Sequence, residues 1–429
     1  MKSQERSTQH QAPVLIIGAG IAGLAAAYEL ERAGIRTLTL EAGSKVGGRL
    51  RTDRSLGFAF DEGASWIHGP EGNPVTELAG VAGAKTFLTD DQKMAVYDAN
   101  GSPYAADHLA SAEEEFEYVL NRIRKKAKPE QSVKEVFAEE FPEYVDDRLC
   151  QYFLSADLEF DTGGDIERLS GKYFYDDEEF KGKDLIITNG YDRLANYLAQ
   201  SLDIRLEERV KAIYYAEEEV LVITESTTYR AAKVIVAVPL GVLKQNAIEF
   251  TPALPEKKQT AIQALEMGTV NKFVLVWEKA FWDPAVQYIG YTPEAKGKFN
   301  FFMNMLPFTG ANALMTFAFG QYSITTEQMK DEDLVEAIMS HLQMIYGKDI
   351  PLPASFKRTC WNSDTNTFGS YSFATKGIKT RAFDWLAREV DDKLFFAGEH
   401  TSREYRGTVH GALLSGVREA EKILEALES

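Results

Sequence analysis

The residues best suited to chemistry in this 429-residue chain come in small groups set far apart. The first is Gly18-Ala19-Gly20-Ile21-Ala22-Gly23, which follows the apolar run Ala12–Ile17 and opens a helical stretch over Leu24–Leu30. In such a motif the first glycine permits a tight turn. The second lets backbone approach a pyrophosphate, and the third permits close helix packing. The start of the helix then offers N–H groups and the positive end of its dipole to the phosphates. Glu41 closes a second strand, Thr37–Leu40, 18 residues after Gly23, where a carboxylate can accept ribose hydroxyls. An acid there also repels a 2′-phosphate and disfavours NADP. This spacing specifies a dinucleotide and leaves NAD and FAD both open.

Further along, Lys272 sits in the apolar run Phe273-Val274-Leu275-Val276, where a lysine needs a reason. His68 stands in a glycine-rich loop and can titrate near neutral pH. Asp157 and Glu159, and the run Asp176-Asp177-Glu178-Glu179, could meet a cationic ligand, although a solvated acidic face is the plainer reading of that run. The two cysteines, Cys150 and Cys360, give neither a disulfide framework nor metal-ligand spacing, so no metal is expected. With 47 basic and 65 acidic residues, the net charge of −18 argues against nucleic acid and anionic membranes and favours a cationic substrate.

The elements that must position these groups follow from periodicity. Ala12–Ile17, Leu24–Leu30 and Thr37–Leu40, with Gly34 as helix stop, predict a βαβ start to a doubly wound sheet. Residues 107–149 carry Phe116, Val119, Leu120 and Ile123 at helical spacing and predict amphipathic surface helices. Strand, turn at Asn189-Gly190 and helix follow over Leu185–Leu202. Val210–Tyr215 and Val220–Thr224 predict a hairpin, and Lys233–Val238 another strand. Lys272–Trp277 reads as a strand, Asp331–Tyr346 as a helix, and Lys393–Ala397 with Gly411–Leu427 as a strand and a long helix. At this length about two or three domains are expected. The pattern predicts a discontinuous nucleotide domain over residues 1–85, 186–245 and 385–429, with a second domain inserted over 86–185 and 246–384. No apolar run reaches the roughly 18 residues of a membrane span. The polar start, with Lys2 and Arg6, lacks the apolar stretch of a signal peptide, so a cytoplasmic location is expected.

Glu41 followed by Gly47-Gly48-Arg49 and Thr52 resembles the glutathione-reductase-type flavoproteins, which turns the dinucleotide reading towards FAD. A guanidinium fork such as that of Arg49 suits phosphate. Five separated stretches then resemble the flavin amine oxidases, a family of polyamine oxidases, monoamine oxidases and the lysine-specific histone demethylases. They are Asp61–Gly69 with Gly72–Val75; Gly190-Tyr191, Val210 and Ala237–Lys244; Asn271-Lys272 with Phe281–Pro284; Gly369–Ser372; and Phe396–Thr401 with Gly407–Ala412. The resemblance implies an α/β fold: a Rossmann-like FAD-binding domain of the glutathione-reductase type, with an inserted α+β substrate-binding domain.

The resemblance also implies roles. Gly18, Ala19, Gly20, Ala22, Gly23, Glu41, Ala42, Gly48, Arg49 and Glu399 would hold the nucleotide side of FAD. Gly63, Ala64, Ser65 and Trp66 would line its ring system, Val210 would meet adenine through its backbone, and the Thr408-Val409 backbone would face the pyrimidine edge. Lys272 would hold a water at the flavin edge where hydride arrives. Tyr371 and Thr408 occupy the positions of an aromatic cage around the amine, Trp361 would wall the flavin, and His68 and Glu159 would stand near substrate nitrogens. Ser370 fills a position that is a flavin-linking cysteine in monoamine oxidases, so FAD is expected to be non-covalent. The implied activity is oxidation of an amine with O2 to an aldehyde and hydrogen peroxide, with polyamines the favoured substrates. Arg403 and Arg406 leave open an amino acid oxidase, since either could pair with a substrate carboxylate. A monoamine oxidase, and a flavin dehydrogenase or desaturase using another acceptor, stay open as well.

Overall fold

The computed structural model of the chain describes residues 11–293 and 296–428, so Lys2 and Arg6 lie outside the described residues. It is a mixed α/β structure with several sheets. Strand β1 (Gln11–Ile17), helix α1 (Ile21–Arg32) and strand β2 (Thr37–Leu40) form a parallel unit, with Val14 beside Thr37 and Ile17 beside Leu40. Val14–Ile17 and all of β2 are buried, as strands covered on both faces require. On its other side β1 pairs in parallel with β3 (Thr228–Val236), from Gln11 beside Arg230 to Ile17 beside Val236. Leu394–Phe396 lies beyond β3 and Ile204–Arg205 beyond β2, both parallel.

β3 also corrects a boundary. It starts at Thr228, ahead of the expected Lys233, and its first half pairs antiparallel with Val220–Thr224, which pairs antiparallel with Val210–Tyr214. The expected hairpin is therefore part of a three-stranded meander. Burial records the change of surroundings: Tyr229 and Ala231 alternate inward with exposed neighbours, then Val234, Ile235 and Val236 are all buried. Period-two alternation belongs to the half that keeps one wet face, and continuous burial to the parallel core.

A second, six-stranded sheet runs in the order Ser355–Arg358, β4 (Val270–Val276), Ala313–Phe319, Lys298–Asn304, Tyr288–Tyr291 and Met94–Tyr97. Phe273 and Leu275 face the core under helix Asp331–Tyr346, where Leu334, Ile338, Met339 and Leu342 cover them. Val270 and Val274 face the opposite side, against Phe60 and Phe317. Lys272, sharing their parity, points the same way. Residues 107–149 form helix Ala106–Lys126, with Phe116, Val119 and Ile123 buried, then Val133–Glu140 behind a Ser132/Glu135 capping box, and Arg148–Phe153. Among the described residues, no helix is long and apolar enough to cross a membrane.

Helix α2 (Val409–Glu428) crosses α1 at very close range: a Cβ added at Gly416 would sit 2.1 Å from the carbonyl oxygen of Ala22. A leucine at Gly416 must therefore part the two helices, at a cost of about 1–3 kcal/mol. The expected result is a lower urea midpoint and melting temperature for Gly416→Leu. Unchanged unfolding would mean that the contact is looser than the geometry requires.

Candidate functional site

A cavity of about 1380 Å³ runs from the end of β1 to the meeting point of the two large sheets. Helix α1 begins in its wall, with Gly20 as N-cap residue and no side chain capping it, so its N–H groups are free for a ligand. A Cβ at Gly20 would meet nothing within 4 Å, which leaves space for a group to approach the backbone. Gly18, Ala22, Ala42 and Gly48 share this wall. Ala19 and Gly23 stand behind it. Ala19 donates its N–H to Glu41 Oε2 at 2.7 Å, and a Cβ at Gly23 would collide with the Gly18 carbonyl at 2.0 Å. Glu41 Oε1 accepts from Gly43 N at 2.7 Å, so this carboxylate ties the end of β2 to the glycine turn while still lining the cavity. Val210 lines it too, where a register shift opens β-pairing between Val210 and Ala212.

Arg49 and Glu399 meet at 2.8 Å across 350 residues of sequence. Glu399 also accepts from Ser372 Oγ at 2.5 Å and Gly407 N at 3.0 Å, while Arg49 donates to Ser370 O at 2.8 Å. Burial alone would raise the Glu399 carboxyl. The charge of Arg49, with His400 and the Ser372 hydrogen bond, outweighs it and holds the group below its ordinary 4.5. Ser370 Oγ is spent within the protein, accepting from Val270 N and donating to Val270 O.

Lys272 reaches across to the other face of the cavity. Its Nζ donates to Asp61 O at 2.9 Å, Gly63 O at 2.5 Å and Ser65 Oγ at 2.6 Å, and lies 5.6 Å from the Trp66 ring centre. Burial lowers its pKa, opposed by the charges of Asp61 and Glu62. An ammonium has three donors, and all three are engaged here. The water expected on Lys272 would have to replace one of them, and Ser65 Oγ is the partner able to rotate away. Gly63, Ala64, Ser65 and Trp66 all line the cavity. Gly63 has no room for a side chain, since a Cβ there would sit 1.8 Å from Arg49 O.

Tyr371 presents its ring to the cavity and donates its hydroxyl to Phe160 O at 2.5 Å. Trp361 is buried, donating to Glu62 O at 3.1 Å, with the Arg51 guanidinium 4.5 Å over its ring. Asn271, next to Lys272, accepts from Trp361 N at 3.0 Å and Thr359 Oγ1 at 3.1 Å, which fixes Trp361 relative to β4. The Thr408 hydroxyl accepts from Gly411 N at 2.9 Å and donates to Tyr405 O at 2.8 Å, capping α2. Thr408 and Val409 do line the cavity. Arg51, Phe160 and Phe317 also line it and were missed in the sequence; Phe317 is the register partner of Lys272, which only strand pairing reveals.

At the far end stand His68, Asp161, Tyr175, Glu179 and Asp184. His68 Nδ1 lies 2.6 Å from Asp184 Oδ2, and Tyr175 donates to Asp161 at 3.1 Å. Glu159, expected near substrate nitrogens, is instead buried outside the cavity wall, accepting from Lys296 Nζ at 2.6 Å and Ile166 N at 3.0 Å. Glu159 ends a π-helical turn and lies behind the wall, whereas Asp161, two residues on, lines the cavity. Arg406, too, is unavailable to a substrate carboxylate. It is buried and paired with Asp176 at 2.8 Å and Asp177 at 3.0 Å, and it donates to Tyr173 O and Phe174 O. Asp176 and Asp177 are therefore internal partners, and the solvated face shrinks to the exposed Glu178 and Glu179.

The family model described as "Flavin containing amine oxidoreductase" matches residues 21–424. Polyamine oxidase 2 of Arabidopsis thaliana is 34% identical to the chain over 97% of its length and 89% of the relative's. Polyamine oxidase 4 of Oryza sativa subsp. japonica is 34% identical over 97% and 90%. Lysine-specific histone demethylase 2 of Homo sapiens is 33% identical over 96% of this chain but 53% of its own.

The depressed Glu399 carboxyl links stability to pH. Its contribution is complete above 4.5 and is lost as pH falls through the lower folded value. Glu399→Gln is expected to lower the urea midpoint at about pH 7 and to flatten its decline between about pH 5 and pH 3. An acid limb as steep as the parent's would place the acid sensitivity elsewhere.

Proposed function

We propose, from the premise that the chain belongs to the flavin-containing amine oxidoreductase family, that it is a polyamine oxidase holding FAD without a covalent link. The residues fit that cofactor: an uncapped helix start, an open Gly20, and the Arg49 and Glu41 side chains line one continuous cavity. The parallel order of Leu394–Phe396, β3, β1, β2 and Ile204–Arg205 supports a Rossmann-like FAD domain of the glutathione-reductase type. Within this proposal, residues 1–85, 186–245 and 385–429 carry FAD, and 86–185 and 246–384 form the substrate side. Strand Glu249–Thr251 reaches back over that boundary to pair with Val210–Tyr214.

When bound, FAD supplies the acceptor that takes a hydride from the carbon beside the amine nitrogen and passes the electrons to O2, giving hydrogen peroxide. The chain's residues orient and exclude. Lys272 is a fixed cation at the cavity wall, and its grip on Asp61–Ser65 sets the backbone that lines the reacting edge. Tyr371, its hydroxyl anchored on Phe160, offers a ring face to an ammonium group, worth about 0.5–2 kcal/mol. Phe160, Phe317 and Trp66 wall the reacting carbon with apolar surface, with ring centres 5.8 Å apart for Trp66 and Phe160. The substrate imine then hydrolyses in water to an aldehyde and a shortened amine. The observation that carries this reading is the buried Lys272, delivered by an apolar strand to the cavity that the glycine motif opens. Arg406, neutralised by Asp176 and Asp177, weighs against a carboxylate-bearing amino acid as substrate. A cytoplasmic location is part of the same proposal.

A peroxide-coupled screen of spermidine, spermine, their acetyl forms, monoamines and amino acids is expected to show fastest turnover with a polyamine. Absence of peroxide with every amine would reject oxidase activity. Lys272→Met is expected to slow turnover by about 100-fold, the usual scale for losing a positioned electrostatic group; unchanged turnover would remove Lys272 from the mechanism. Acid precipitation of the holoprotein is expected to leave the yellow cofactor in the supernatant, and a yellow pellet would contradict non-covalent FAD.

A further inference from the structure

Part of the cavity wall is a single chain thick. Residues 364–368 all line the cavity, yet Thr365 among them is exposed to solvent. They form the middle of a compact loop, 361–369, that closes on itself. Gly369 N donates to Trp361 O at 2.8 Å, Phe368 N to Asp364 O at 2.8 Å, and Asn366 N to Asp364 Oδ1 at 2.9 Å. A loop with its ends joined and its own internal bonds can swing as one piece. Its base is tied to the segments assigned to the substrate side: Trp361 N donates to Asn271 Oδ1, Asn362 N to Glu327 Oε1 and Ser363 N to Glu327 Oε2. The chain leaves the loop through Phe368 and Gly369, with φ of 51° and 131°, a left-handed pair that turns it sharply.

The remainder of the loop rests against segments assigned to FAD. Arg51 pairs with Asp364 at 3.0 Å, and a Cβ on Gly241 would sit 2.2 Å from Thr367 O. At the tip, Arg209 donates to Asn366 Oδ1 and, at 3.3 Å, to Thr365 O. A guanidinium only donates, so it takes the amide oxygen of Asn366. That turns the amide nitrogen towards Gly43, 3.6 Å from where a Cβ would stand there. The tip thus bridges from the residue before Val210 to the turn after Glu41. Among the described residues no carboxylate pairs with Arg209, so its removal strands no acid. We propose that Arg209 and Asn366 are a clasp that shuts loop 361–369 over the nucleotide end of bound FAD, and that the cofactor leaves only after the clasp has opened. The inference goes beyond the amine oxidase reading and rests on FAD as the occupant of the cavity. The clasp joins protein to protein. It sets how often the loop stands open, with FAD present or absent, and leaves the fit of FAD itself nearly untouched. A gate of this kind changes rates and spares the equilibrium.

The test starts from the FAD-loaded protein. Release is read as the loss of radiolabelled FAD in excess unlabelled FAD, and Kd as the fraction still bound after dilution and equilibration. Arg209→Gln and Asn366→Ala are each expected to speed release by about 10-fold, the scale of one hydrogen bond to a charged group, with Kd almost unchanged. The double variant is expected to release no faster than the faster single one, because both remove the same contact. Asn366→Ala, at the loop tip, covers the case in which Arg209→Gln does not fold. Parental release rates in these variants would overturn the clasp. A Kd that rises as far as the release rate would make Arg209 an ordinary contact to FAD, and effects that multiply in the double variant would say the same; either result overturns the gate. If the chain takes up no FAD, the cofactor reading fails together with the clasp. If it holds FAD but oxidises no amine, the oxidase reading fails alone and the release rates still decide the clasp.

Discussion

One buried carboxylate fixes the geometry on which the cavity depends. Glu399 accepts hydrogen bonds from Ser372 and the backbone of Gly407, which are near it in the sequence, and from Arg49, which is 350 residues away. Without a cation, a carboxylate so enclosed would be costly to keep ionised. Arg49 supplies that cation and is itself pinned to Ser370 O, so each half of the pair holds the other in its place. The segment leading to Tyr371, the start of α2 and the loop after β2 are thereby set relative to one another.

Lys272 works in the same way from the opposite wall. A strand that is otherwise apolar carries it inward, and backbone carbonyls of Asp61 and Gly63 accept two of its protons. Carbonyl dipoles stabilise the charge without moving, which preorganises the site. Of the acids nearby, Glu399 and Glu62 are matched to Arg49 and Arg51, whereas Glu41 is held by backbone N–H groups. The two ends of the cavity therefore differ in kind: α1 begins at one, with uncapped N–H groups, and the His68–Asp184 pair stands at the other.

How much of this could be read in the sequence depended on distance along the chain. The βαβ unit and helix Asp331–Tyr346 were legible because periodicity and glycine placement are local signals. The inward lysine of β4 was legible because its residue type conflicts with its neighbours. Contacts across hundreds of residues left no local trace: nothing near Arg406 announces Asp176 and Asp177, and nothing near Lys272 announces Phe317. Glu159 and Asp161 show a subtler limit. A wide π-helical turn over Leu154–Glu159 sets their phase, and only the backbone tells which of the two carboxylates reaches the cavity. Thr408 belongs with these, since a hydroxyl at a helix start is as readily a cap as a ligand.

The interleaving of the chain has a consequence for inheritance. β1, β3 and Leu394–Phe396 lie side by side in one sheet although they come from the beginning, middle and end of the sequence. The cavity wall is threaded likewise. No contiguous cassette holds it, so crossing over between two relatives at a single point would separate Arg49 from Glu399 in nearly every recombinant. Exchanges of single side chains in the cavity wall, by contrast, leave the Arg49–Glu399 pair in place.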